Sequence, residues 1–156
     1  MYWIIIVLCV VLDQISKAAV DNSMALGQTI DVLPGVFDLT YIHNEGAAFS
    51  ILLGKQSLLI AITSMLMIAM TLYVIKQGKA IFKPECISVA LIVGGGLGNL
   101  ISRAMSGYVI DFLNIYILPV FNVADIFVCC GCGLLMLSVL FLEPRALKKA
   151  AEKKDE

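Results

Sequence analysis

The clearest pattern along the chain is an uncharged, apolar run from Gln56 to Ile75, bracketed by Lys55 and Lys76. At about 1.5 Å per helical residue, a bilayer core of about 30 Å takes roughly 20 residues, which this run supplies. Cys86 to Ser102, between Glu85 and Arg103, and Ile126 to Leu142, between Asp125 and Glu143, are shorter but cross once their flanking residues are counted. Met1 to Leu12 is too short alone and must continue through Asp13 and Lys17 to about Val20. The pattern thus predicts spans at approximately 1–20, 56–75, 86–103 and 125–142. The connection after the first span alternates in Val36-Phe37-Asp38-Leu39-Thr40-Tyr41-Ile42 and is entered through the turn pair Pro34-Gly35, so a small sheet is expected there. The connection before the fourth span, with Phe112, Leu113, Ile115, Tyr116 and Ile117 near Pro119, is apolar enough to lie at the membrane interface. The predicted fold is an all-α membrane protein. It has four transmembrane helices and a small β-containing extracytoplasmic loop region in one domain, residues 1–156. The charged tail after Glu143 reads as a solvated helix end.

Composition strengthens this picture: 60% of the 156 residues are apolar and 15% charged, too little polar surface for an ordinary soluble domain. A net charge of -1 leaves no basic stripe to neutralise phosphates, which excludes nucleic acid as a partner. Lys76, Lys79 and Lys83 fill the middle loop, and Arg145, Lys148, Lys149, Lys153 and Lys154 fill the tail, so eight of the eleven basic residues mark one side. Cytoplasmic loops accumulate such residues, which places both termini and the middle loop in the cytoplasm and the other two connections outside. The first run lacks a basic leader and meets Asp13 at once, so it is expected to stay uncleaved. Cys9, Cys129, Cys130 and Cys132 lie in apolar runs and read as small buried hydrophobes, without zinc-ligand spacing.

Polar groups inside a spanning helix cost on the order of 2.5 to 3.5 kcal/mol each near its centre, so their presence asks for a reason. Measured from the inner face, Asp13 lies about 18 Å along the first span and Asn99 about 21 Å along the third, both in the outer half of the bilayer. Arg103 follows Asn99 by one turn on the same face, Asp125 opens the fourth span with Asn122 one turn before it, and Asp111 sits in the short connection between. Singly, each has a plain reading: Asp13 and Lys17 as an i, i+4 ion pair, Asp125 as a helix cap, Asp111 as a solvated loop acid. Together they form one polar layer drawn from three helices and a loop. Gly94 and Gly98 suit close helix packing better than nucleotide binding, since no strand precedes them. His43, the only histidine, has no Ser or Cys placed beside it by a motif. On these residues alone, a small transporter that relays cations through the acids and a scaffold subunit using the glycine face both stay open.

The sequence resembles the lipoprotein signal peptidase, or signal peptidase II, family. The resemblance rests on Asp13-Gln14-Ile15-Ser16-Lys17, Asn44-Glu45-Gly46-Ala47-Ala48-Phe49-Ser50, Gly98-Asn99-Leu100-Ile101-Ser102-Arg103 with Gly107-Tyr108-Val109-Ile110-Asp111-Phe112, and Phe121-Asn122-Val123-Ala124-Asp125. The resemblance implies an aspartic endopeptidase of the bacterial inner membrane that removes the signal peptide of a prolipoprotein just before a diacylglyceryl-modified cysteine. By match to these boxes, Asp111 and Asp125 would be the catalytic pair, with Asp13, Lys17, Asn44, Gly46, Asn99, Arg103, Asn122 and Ala124 as substrate-binding or supporting positions. No metal or other cofactor is expected, the partners are prolipoproteins and membrane lipids, and a monomer is expected. Ser102 departs from the pattern, since many members carry Asp there. The chemistry fits the residues: two carboxyls sharing one proton can hydrolyse a peptide without a nucleophilic Ser or Cys.

Overall fold

A computed structural model of the chain describes residues 2–46, 56–78 and 81–144. Four of its helices are long and apolar enough to cross a membrane: α1 (Tyr2–Ser23), α2 (Gln56–Gln77), α3 (Lys83–Ser106) and α4 (Val123–Leu137), the last continued by a π-helical turn at Ser138–Leu142. Each overruns its expected span, because helix ends are set by local caps and not by where the apolar run stops. Pro84 sits in the first turn of α3, where its missing N–H costs nothing. The helix ends at Gly107, whose φ of 80° provides a left-handed cap that returns its N–H to the Arg103 carbonyl at 3.0 Å. The expected solvated tail falls outside the described residues beyond position 144.

The glycine run of α3 organises the bundle. Gly94 faces Cys9, where an added Cβ would lie 2.6 Å from the cysteine Cβ, and Gly98 faces Asp13, where it would lie 2.5 Å from Oδ2. The pairs 9 with 94, 13 with 98 and 17 with 102 keep one offset, so α1 and α3 run parallel. Gly95 abuts the Ala124 carbonyl of α4, and Gly96 abuts Met67 of α2. Three neighbours therefore seat in one small-residue slot, the close packing that Gly94 and Gly98 suggest. In consequence 56% of the most apolar stretch of α3 is buried, against 28%, 17% and 11% for α1, α2 and α4, so α3 is the central helix. Replacing Gly98 by Ala is expected to destabilise the protein by about 1–3 kcal/mol, the usual cost of overpacking. Gly133→Ala, with no atom within 4 Å of the new methyl, should instead stabilise α4 by up to about 1 kcal/mol in detergent-phase thermal unfolding.

The cysteine expectation holds for Cys9 alone, since Cys129, Cys130 and Cys132 are exposed on α4. A helix that buries little inside the protein can turn apolar residues outward when its surroundings are lipid, so an apolar run there does not mean a buried one.

Beyond the C-terminal ends of α1 and α3 lies a three-stranded antiparallel sheet in the order β1 (Thr29–Leu33), β2 (Phe37–Asn44), β3 (Val109–Asn114). The β1–β2 hairpin turns through Pro34-Gly35, with Gly35 at φ 75°. The third strand adds to the reading of the second connection, whose first part joins the sheet. Residues 109–114 pair with β2, and Leu113 bridges back to Phe121. Val109, Asp111 and Phe112 are all buried, so the strand has no polar face to betray it as an apolar-polar alternation. Tyr41 and Phe112 pack on Val20 of α1 and on Met24 just past its end, which fixes the sheet over the bundle.

Candidate active site

The polar layer is assembled where α1 and α3 end and α4 begins. Asp13, fully buried, accepts from Lys17 Nζ at 2.8 Å and from Gln14 Nε2 at 3.0 Å on Oδ2, and from the Ala124 N–H at 3.0 Å on Oδ1. It thereby ties α1 to the positive N-terminal end of α4. The Lys17 ammonium also donates to Asn99 Oδ1 at 2.8 Å and Ser102 Oγ at 3.3 Å. All three of its protons are thereby engaged. Because the cation demands the oxygen of Asn99, the amide nitrogen must point the other way, and it donates to Asp125 Oδ1 at 2.8 Å.

Asn122 caps α4 in a capping box: its Oδ1 accepts from the Asp125 N–H, while Asp125 Oδ2 accepts from the Asn122 N–H, both at 3.1 Å. That orientation leaves Asn122 Nδ2 to donate to Asp111 Oδ1 at 2.6 Å and to Asn99 Oδ1 at 3.1 Å. The remaining oxygen of Asp111 accepts from Asn44 Nδ2 at 2.7 Å, and Asn44 is itself oriented by the Gly46 N–H, 3.0 Å from its Oδ1. Arg103 donates from Nη2 to the Gly46 carbonyl at 2.8 Å, fastening the end of β2 to α3. Every carboxylate oxygen of Asp111 and Asp125 thus has one protein donor. Asp111 is 2% exposed, and burial pushes its carboxyl up to about 6. The Asn44 amide opposes the shift, the charge of Asp125 adds to it, and Asn122 and Lys17 hold it back.

Asp111 and Asp125 open on a cavity of about 820 Å³. Asn44, Asn99, Arg103 and Asn122 form its polar wall, and Leu118, Pro119, Val120, Phe121, Ile126 and Val128 its apolar wall. Of the ten positions singled out in the sequence, six line this cavity. Asp13 and Lys17 stand behind it as the ion pair foreseen by their spacing, Gly46 braces Asn44, and Ala124 supplies its N–H to Asp13. Asp111 is not the solvated loop acid of its plain reading. Two further residues support the layer: Gln14, which was not singled out, and Ser102, which was noted only as a departure from the pattern. Gln14 donates to Asp13 and to the Gly98 carbonyl at 3.0 Å, a role signalled by the cost of a carboxamide in a spanning helix. Ser102 accepts from Lys17 and donates to the Gly98 carbonyl at 3.2 Å, so the departure from Asp leaves an oxygen on the ammonium.

Residues 5–141 match the family model described as signal peptidase (SPase) II. The chain belongs to this family. Curated lipoprotein signal peptidases resemble it over most of their length: that of Caldicellulosiruptor bescii is 40% identical across 89% of this chain and 90% of its own, and that of Neisseria meningitidis serogroup C is 38% identical across 87% of each. A bacterial membrane enzyme solved in meso at 2.3 Å superposes with a TM-score of 0.83 at 31% identity, covering 99% of this chain and 92% of its own. A second, solved at 1.9 Å, gives 0.80 at 32% identity, over 90% and 92%. As a lipoprotein signal peptidase with four helices able to cross a bilayer, the chain is a multi-pass protein of the bacterial inner membrane.

Proposed function

We propose that the chain is an aspartic endopeptidase that frees diacylglyceryl-modified prolipoproteins of their signal peptides, cutting immediately before the lipidated cysteine at the outer face of the membrane. The observation that carries this reading is the pair of carboxyls, Asp111 and Asp125, joined through Asn122 at one cavity with an apolar wall. In the proposed reaction one carboxylate takes a proton from water as its oxygen attacks the scissile carbonyl, and the other, protonated, donates to the carbonyl oxygen. The resulting gem-diol collapses with cleavage of the C–N bond, and a proton passes to the leaving amine of the cysteine. Charge supports the single shared proton: Asp13 is balanced by Lys17, and Arg103 by one negative charge on the pair, so the buried layer is neutral only when one carboxyl is protonated. Asn99 and Asn122 hold the pair, and Arg103 steadies Gly46 beside it.

The proposed orientation puts both termini inside and the sheet outside, with the protein acting as a monomer on substrates and lipids of its own membrane. In a cysteine-free background, cysteines at Glu45 and Tyr108 should be labelled by an impermeant reagent from outside, and those at Lys79 and Lys153, which lie outside the described residues, should not. Labelling of position 79 from outside would overturn the orientation.

Lipidation of the substrate tests the reading. Burial contributes about 0.8 kcal/mol per CH₂ removed from water, but most of that gain is made when the chain enters the bilayer. The lipid therefore acts chiefly by holding the cysteine at the depth of the pair. A prolipoprotein with an unmodified cysteine should be cleaved at least about tenfold more slowly, about 1.4 kcal/mol in the barrier. Equal rates in the same detergent would count against this positioning.

A further inference from the structure

Outside the carboxyl pair, one polar cluster between α1 and the sheet has no part in the chemistry described so far. Asp21 lies in the last turn of α1, where the helix dipole disfavours an acid. Its carboxylate accepts a hydrogen bond from the hydroxyl of Tyr41, a buried residue of β2. Burial and then the Asp21 charge hold the Tyr41 phenol above its usual range, so the hydroxyl keeps its proton. A phenol has one proton, so the 2.9 Å contact between the Tyr41 oxygen and His43 Nε2 must be an Nε2–H donation by the imidazole. The same imidazole stacks on Tyr108, with ring centroids 3.7 Å apart and planes 15° from parallel. His43 also lines the cavity.

The position of this cluster in the sheet gives it a consequence. Asn44 is the last residue of β2 and pairs with Val109, the first of β3, so this is the open end of the ladder, where strands fray. Asn44 is also the residue whose amide holds Asp111 Oδ2. The His43–Tyr108 stack closes that end from the side of α1, and Arg103, bonded to Gly46, closes it from α3. The geometry points to His43 as a positioning residue for cleavage: clamped between Tyr41 and Tyr108, it fixes Asn44 and so sets the carboxyl of Asp111. The inference rests on the proposed role of Asp111 in cleavage.

The groups that face Asp111 are Asn44 from β2, Asn122 and Asp125 at the start of α4, Lys17 from α1 and Arg103 from α3. Loosening Asn44 removes a donor from the carboxylate and leaves the others in place. His43→Ala should then lower kcat roughly tenfold with KM within about twofold, and move the pH–rate profile up by about one unit, a tenfold change in an ionisation constant. His43→Gln, whose amide can both stack on Tyr108 and donate to Tyr41, should restore most of the rate and the profile. If His43→Ala does not fold, Tyr41→Phe removes only the bridging hydroxyl and should move the profile in the same direction. An unmoved profile and unchanged kcat in whichever of these variants folds would overturn the inference. Absence of cleavage by the wild-type enzyme would instead count against the proposed function itself.

Discussion

An Asp125→Asn or Asp111→Asn enzyme should stay folded and lose turnover by about 10²–10⁴-fold, the range general acid–base catalysis contributes. An amide can neither accept the water proton nor share the proton of the pair, whereas its size and one of the two hydrogen bonds each carboxylate accepts are kept. Both positions should fail alike if, as proposed, the two carboxyls share one proton, since each residue is then needed in one of the two protonation states. Since burial raises Asp111 to about 6, the singly protonated pair of the empty enzyme should persist well above the ordinary carboxylate value of about 4. The stability linkage has a definite sign. A carboxyl whose folded value is raised contributes stability that is full below its unfolded value, near 4, and is lost as pH rises through about 6. Thermal unfolding from pH 4 to 7 should therefore show a decline that Asp111→Asn lacks. Near wild-type cleavage by either variant would refute the assignment of the pair.

The second large effect is expected at Lys17. Lys17→Met leaves Asp13 fully buried without its cation and releases the oxygen of Asn99, so the cost should be about 3–5 kcal/mol, as for other broken buried pairs. Pairing it with Asp13→Asn removes the orphaned charge, and unfolding in detergent should show the double variant to be more stable than Lys17→Met alone. Its activity should stay low, because Asn99 is no longer compelled to turn its amide toward Asp125. A single variant as stable as wild type would mean that the ion pair does not hold the layer together.

Much of this architecture was legible from where charge interrupts apolar sequence. Helix rise alone placed Asp13 and Asn99 at one depth, and the Lys17 bridge between them follows. The i, i+4 relation of Asp13 and Lys17 and the i, i+3 relation of Asn122 and Asp125 are local geometry, and both are realised as an ion pair and a capping box. What stayed hidden is non-local. Nothing in Val109 to Asn114 says that it will pair with Phe37 to Asn44, since a strand buried on both faces carries no alternation. With that pairing unseen, Asn44 could not be placed on Asp111, nor Tyr108 on His43. Cys129, Cys130 and Cys132 misled for another reason, because lipid rewards an outward apolar residue as readily as a protein core does.

The most direct test is mass spectrometry of the products when the purified, reconstituted chain is given a diacylglyceryl prolipoprotein. The wild-type enzyme should yield a protein beginning at the lipidated cysteine and an intact signal peptide carrying a new carboxyl terminus. The Asp111→Asn and Asp125→Asn proteins, shown to be folded, should yield neither. Cleavage elsewhere in the substrate, no cleavage by the wild type, or the same products from the variants would contradict a two-carboxylate peptidase acting at that cysteine.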